Sequence, residues 1–236
     1  MKIILSIFIL ITGVCNGQLS IVNIATSNYS TSGYGVISLP VTQDNLYIIF
    51  VGTSNAGGTP ATVSITGAGT WTEIGTSGGQ LNNSGNRRMQ AFRQVATSTT
   101  TIFPTVSYSG SQDGGVLYIF RIDGVVITGT NGSDAIVQTV GNSGNSANPS
   151  VTMSALSNRA GVIMTFISET NPPAGSAESG WTEEHDGGYT VPDTGGYLMH
   201  RVNTTDNTPT VTASSSNWGA LAIEFKASGR RIFNTN

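Results

Sequence analysis

Short apolar runs separated by clusters of Gly, Ser, Thr and Asn set the pattern of this chain. Leu46-Tyr47-Ile48-Ile49-Phe50-Val51 is continuously apolar over a strand's length. A run without polar alternation predicts a strand buried on both faces, or one paired inside a sandwich. Val162 to Ile167 and Val116 to Ile122 read the same way, while Val63 and Ile65 alternate with polar neighbours. Strand-like segments also cover Ile21–Ala25, Gly35–Leu39, the Trp71 to Ile74 stretch, Arg87–Val95, Ile102–Tyr108, Ile136–Val140, Tyr197–Val202, Thr208–Ala213 and Gly219–Phe225. Pro40, Gln43-Asp44-Asn45, Asp123-Gly124 and Pro172-Pro173 punctuate them as turns. No segment carries a capped 3.6-residue stripe, so helix is expected to be nearly absent. The prediction is an all-β chain, an antiparallel β-sandwich with jelly-roll-like character.

The pattern occurs twice. Trp71-Thr72-Glu73, Met89 to Arg93, Pro104 to Ser107 and Leu117 to Arg121 return in the same order as Trp181-Thr182-Glu183, Tyr197 to Arg201, Pro209 to Thr212 and Ala222 to Lys226. The spacing between copies drifts from 110 residues at the Trp to 105 at the Pro, as loops of unequal length would produce. Repeat one spans about 21–124 and repeat two about 136–227, with the join between Val125 and Ile136. Each copy holds few large apolar residues, and the join has no charged or Pro-rich linker. The expectation is therefore one sandwich in which the copies interdigitate about a pseudo-twofold axis. Residues 228–236 read as a loose tail.

Composition adds a compartment. Charged residues make up only 10% of the 236, so the surface is solvated by hydroxyls and amides, as in many secreted or virion β-proteins. Lys2, the apolar run Ile3 to Val14 and the small-residue site Cys15-Asn16-Gly17 read as a signal peptide over 1–17, cleaved before Gln18. The run is short for a membrane span, and Val14 before Cys15 disfavours a lipoprotein signal. The mature chain would then hold no Cys, which excludes thiol chemistry, disulfides and cysteine-ligated zinc. With 10 basic against 13 acidic residues and no basic patch, nucleic acid is a poor partner.

The leading strand, the apolar strand after Asp44-Asn45, Pro172-Pro173-Ala174-Gly175 before Gly180-Trp181-Thr182-Glu183, Phe92-Arg93 and Phe120 to Val125 together resemble a family of duplicated β-sandwich proteins. Members occur as tail or virion components of tailed phages and as some bacterial secreted proteins. The resemblance spans about Ile21 to Ala227 and implies a structural sandwich without catalytic residues. The leader departs from the phage pattern and favours a cell-encoded exported protein.

Chemistry-bearing residues are few. Trp71 and Trp181 hold matching places and read as core, whereas Trp218, in an Asn-rich stretch, is the better candidate for an exposed, sugar-stacking contact. Arg93 and Arg201 are candidates to pair with Glu73 and Glu183 as a repeated salt bridge. Glu183-Glu184-His185-Asp186 has the residue types for acid–base work, but neighbours on a strand face opposite ways. Two His residues, His185 and His200, exclude a multi-histidine metal site, and the Asp-Gly pairs match no calcium loop. Sequons stand at Asn28, Asn82, Asn131 and Asn203.

The function expected is an exported, non-enzymatic module acting in surface or virion structure or adhesion, with no cofactor, no catalytic residue and no metal. A lectin-like carbohydrate-binding domain is the alternative, and a glycan-active hydrolase the third reading. Candidate ligand-binding residues are Trp218, Tyr189, Tyr197, Asp186 and His185, and the loops at 75–86 and 185–196 are the expected contact surfaces. A surface glycan or a protein is the expected partner, with self-association open, no membrane span after cleavage, and a secreted location (the virion surface as alternative).

Overall fold

The computed structural model describes residues 18–29 and 35–228. The leader over 1–17, with Cys15, and the tail beyond Ser228 lie outside the described residues. Ten strands form in the first half: β1 (Ser20–Tyr29), β2 (Leu39–Val41), β3 (Leu46–Ser54), β4 (Val63–Thr66), β5 (Thr72–Ile74), β6 (Gln80–Leu81), β7 (Arg87–Val95), β8 (Thr100–Ile102), β9 (Thr105–Tyr108) and β10 (Gly114–Asp123). Seven form in the second: β11 (Ile136–Ser146), β12 (Ala160–Ser168), β13 (Ser176–Ala177), β14 (Thr182–Thr190), β15 (Asp193–Thr204), β16 (Val211–Thr212) and β17 (Ser216–Phe225). Among the described residues the one helical element is a short 3₁₀ segment, Thr130–Ala135. The fold is all-β and antiparallel.

Two main sheets carry the architecture. One has the order β1-β10-β3-β7-β5, with β6 also on β7, and the other has β11-β17-β12-β15-β14. Each is drawn from one half of the chain. The halves therefore stack face to face and do not exchange strands, so the expected interdigitation is not what the strand order shows. Read in chain order, the two sheets have the same wiring. Their first strands also share a defect: β1 slips register between Asn23 and Ala25 opposite Phe120 and Ile119, and β11 slips between Ile136 and Gln138 opposite Phe225 and Glu224.

Three apolar clusters explain why β3 and β12 are apolar throughout. Ile48, Phe50, Tyr118 and Phe120 of one sheet meet Ile163, Ile167, Leu198, Ile223 and Phe225 of the other in a central core. The outer face of the first sheet, with Tyr47, Ile49 and Phe92, is covered by the two-stranded pairs β2-β8 and β4-β9 and by Trp71. The outer face of the second, with Met164, Phe166 and Met199, is covered by Val151, Met153, Trp181 and Val211, the last on the β13-β16 pair. All nine residues of β3 and all nine of β12 are buried, as expected for strands covered on both sides. The molecule is thus four layers deep, small–main–main–small. Trp71 and Trp181 occupy matching outer cores, as their repetition predicted.

Candidate functional site

The hairpin of β14 and β15 carries most of the residues singled out in the sequence. It pairs from Thr182 opposite His200 to Thr190 opposite Asp193. The region 185–196 is therefore strand and tight turn, not the loop expected. Its glycines serve close approach: a Cβ on Gly188 would collide with Thr194 backbone, and one on Gly196, on the facing strand, with the Tyr118 hydroxyl. A register shift between Glu183 and His185 makes Glu184 a bulge residue. The bulge turns Glu184 and His185 toward the first sheet, while Glu183 and Asp186 stay on the outer side.

On the inner side, Glu184 Oε2 accepts from Asn23 Nδ2 at 2.8 Å, and its Oε1 lies 3.2 Å from His200 Nδ1. His185 faces Asn28 and packs its ring 5.2 Å from that of Tyr118. With the Asn28 amide turned so that its nitrogen donates to His185 Nε2, its oxygen accepts the Gly188 N–H. Burial lowers the pKa of both imidazoles, against a weaker pull upward from Glu183 on His185 and from Glu184 on His200. On the outer side, Tyr197 donates to Glu183 Oε2 at 2.9 Å, and burial followed by that carboxylate raises the phenol's pKa far above its usual range. Asp186 Oδ2 accepts the Gly175 N–H, yet burial still raises this carboxyl's pKa. Glu184 turns inward, away from Glu183 and Asp186, which share the outer side, where the Glu183 charge adds to the rise in the Asp186 pKa.

The aromatic candidates require correction. Trp218 lies within β17, 4% exposed, and donates its indole N–H to Ser146 Oγ. Its ring lies over Gly144, where a Cβ would clash with it. Tyr197 is fully buried and stacks on Phe166 at 5.3 Å, and Tyr189 is buried with its hydroxyl against Ser54 Oγ. None offers an open face for stacking on a sugar. The repeated salt bridge also fails to form. Glu73 accepts from Gln90 and the Gly78 N–H, Arg201 donates to the Ser179 carbonyl, and Arg93 Nε is buried without a partner.

These polar links hold one edge of the sandwich: Asn23 and Asn28 on β1 meet Glu184 and His185 on β14. The opposite edge is held by the turn after β6. Ser84 and Asn217 donate to Glu169, Asn83 donates to Asn217, and the Asn83 N–H reaches the Trp218 carbonyl. The hydrogen bonds to Glu169 and the nearby Arg87 charge outweigh the cost of its burial and hold this carboxyl below its ordinary pKa. The region 75–86 is thus partly an inter-sheet contact. Of the four sequons, Asn203 alone has an exposed side chain.

Two features were not read from the sequence. Beside Trp181, Glu178 and Asp206 form a hydrogen-bonded acid pair. Burial, then the hydrogen bond to Asp206, raises the Glu178 pKa. Burial opposes the ionisation of Asp206, but the Trp181 indole N–H at 2.8 Å and the Thr208 N–H outweigh it. In the first half, the corresponding loops flank an open cleft of about 700 Å³ between Ala68–Thr70, Gln94–Ser98 and the 3₁₀ segment. No charged residue and no aromatic side chain lines it. Asn131 ties its rim together, accepting the Val95 N–H and donating to the carbonyls of Thr70 and Arg93. The usable signal was the contrast between Gly67-Ala68-Gly69-Thr70 and Glu178-Ser179-Gly180, the stretches before each Trp.

No family model, curated protein or solved structure matches the chain. Among the described residues no group of three or more His, Cys, Asp or Glu is placed to hold a metal ion, and no helix is long and apolar enough to cross a membrane.

Proposed function

We propose that this chain is an exported, non-catalytic β-sandwich that acts as a structural or adhesive module at a surface. One observation carries the reading. The ionisable side chains that the sequence offered for chemistry are used as links between strands and sheets: Glu184 with Asn23 and His200, Glu183 with Tyr197, Asp186 with Gly175. Removing any of them would weaken a scaffold before it removed a reaction. Matching strand orders and the shared register slip support an origin of the two halves as copies about a pseudo-twofold axis. They also fit the resemblance to duplicated sandwiches of phage and secreted proteins. The low charge of the surface fits export and supports an extracellular location.

A lectin-like reading keeps one support, the uncharged cleft with Thr70, Thr97, Ser98 and Thr130 on its lining, whose volume falls in the range of small-ligand sites. It moves the site away from Trp218. Glycan hydrolysis draws little support from Glu183, Glu184 and Asp186: Glu184 is tied inward to Asn23, and Glu183 and Asp186 are held by the Tyr197 hydroxyl and the Gly175 N–H, whereas a glycosidase needs two carboxyls free to face one bond.

The test is fractionation of expressing cells followed by a glycan array and a reducing-sugar assay on the purified chain. Recovery outside the cytoplasm, without sugar release, is the expected result. Sugar release would overturn the non-catalytic reading, and array binding abolished by Thr70→Trp in the cleft would favour the lectin.

A further inference from the structure

The terminal strands of the two main sheets are protected unequally. β5 has three residues, and β6 adds only two. β14 carries Glu183, Glu184 and Asp186 and is interrupted by the bulge. β1 is bridged to β14 through Asn23 and Asn28. β11 is neither cut short nor charged, and its own side-chain links, Gln138 with the Ser154 backbone and Asn142 with the Ser150 carbonyl, run to the segment that follows it and not to another sheet's edge. It is eleven residues long, has no charged residue and no proline, and stands at the end of its sheet with β17 as its strand partner. Its register slip lies at its start, so Gln138 to Ser146 is an unbroken ladder. Ser143 gives its N–H to its neighbour Asn142 Oδ1 and not to β17. By strand alternation, residues 139, 141, 143 and 145 then direct their backbone groups to the open side. A long, uncharged edge of this kind is what natural sheets avoid unless something pairs with it.

We infer that β11 is a strand-addition edge that pairs antiparallel with β11 of a second copy, joining two five-stranded sheets into one of ten strands. Charge selects this occupant. A two-fold pairing sets Gln, Thr, Asn and Ser opposite one another, so no like charges meet and the amides and hydroxyls find partners across the seam. Pairing β11 with β14 of another copy would bring three carboxylates to the seam, and it would repeat without closing. Gly141, Asn142, Ser143 and Asn145 are all exposed, so no bulky side chain holds a second strand away. The pairing is independent of what the module binds.

The test is sedimentation velocity on the purified chain over a dilution series, beside Ser143→Lys and the control Ser64→Lys at an exposed position of β4. The wild type and Ser64→Lys are expected to share one monomer–dimer equilibrium. Ser143→Lys is expected to raise the dissociation constant at least about tenfold, with an unchanged circular dichroism spectrum. If Ser143→Lys disturbs the fold, Asn145→Lys takes its place under the same criteria. A wild type that stays monomeric at every concentration overturns the inference, and so does a dimer that the lysine leaves intact.

Discussion

Glu184 Oε1 and His200 Nδ1 lie 3.2 Å apart between the two main sheets, and His200 Nδ1 has no aligned hydrogen-bond partner. With His185 close by against Tyr118 and Asn28, this places two imidazoles in a half-buried seam. Burial holds both below the ordinary value of 6.5. A depressed folded pKa means that the unfolded chain binds the proton first. The stability associated with each neutral ring is present above about pH 6.5 and is lost as pH falls through the folded values. Urea midpoints are therefore expected to fall between about pH 7.5 and about pH 5. The fall should shrink in His185→Asn and in His200→Gln; equal falls in wild type and both variants would refute the assignment.

Glu224 is completely buried on β17, yet each carboxylate oxygen is satisfied. Oε1 takes the Ser157 N–H and hydroxyl at 2.7 and 2.6 Å, and Oε2 takes the Gln138 amide at 2.6 Å. Glu224→Ala strands these donors and is expected to cost about 2–3 kcal/mol, read as a shift of the denaturant midpoint at constant slope.

The three Trp residues should report one environment. All are at most 9% exposed, so emission is expected to be blue-shifted and poorly quenched by iodide until the chain unfolds. Trp218→Ala empties a core site and is expected to cost about 3–5 kcal/mol. An iodide-sensitive component that disappears in Trp218→Phe would instead place this ring at the surface.

Asn131 sits at φ 52° and makes the contacts that hold the 3₁₀ segment to β7 and to the turn before Trp71. Asn131→Ala leaves a half-buried N–H and two carbonyls without this partner and should destabilise by about 1 kcal/mol. Asn131→Asp tests the same clamp: it keeps the acceptor and loses the donors, so its cost should lie between wild type and Ala.

What was legible in the sequence was set by burial. Leu46 to Val51 and Val162 to Ile167 are apolar at every position because layers cover both faces, and Trp71 and Trp181 repeat because each fills an outer core. What was not legible depended on a partner distant in the chain. Asn217-Trp218-Gly219 has the composition of a turn, but it is strand because β11 and β12 flank it, and Gly144 makes room for the indole. Asp186-Gly187-Gly188 likewise looks like a turn, and pairing with β15 overrides that local preference. The cleft was hidden for the same reason. Its walls come from four stretches, from Val41 to Gly132, and none of the lining residues carries a charge or an aromatic ring to mark it.

The central core has a consequence for any shortened form of this chain. Each main sheet offers the other a face of Ile, Leu and Phe that has no other cover among the described residues. A fragment ending at the join would emerge from the ribosome with that face open, so its natural remedy is a second identical fragment. The first half expressed alone is then expected as a homodimer or as a precipitate. Covalent linkage of the two halves makes this association independent of concentration, because the partner arrives already attached.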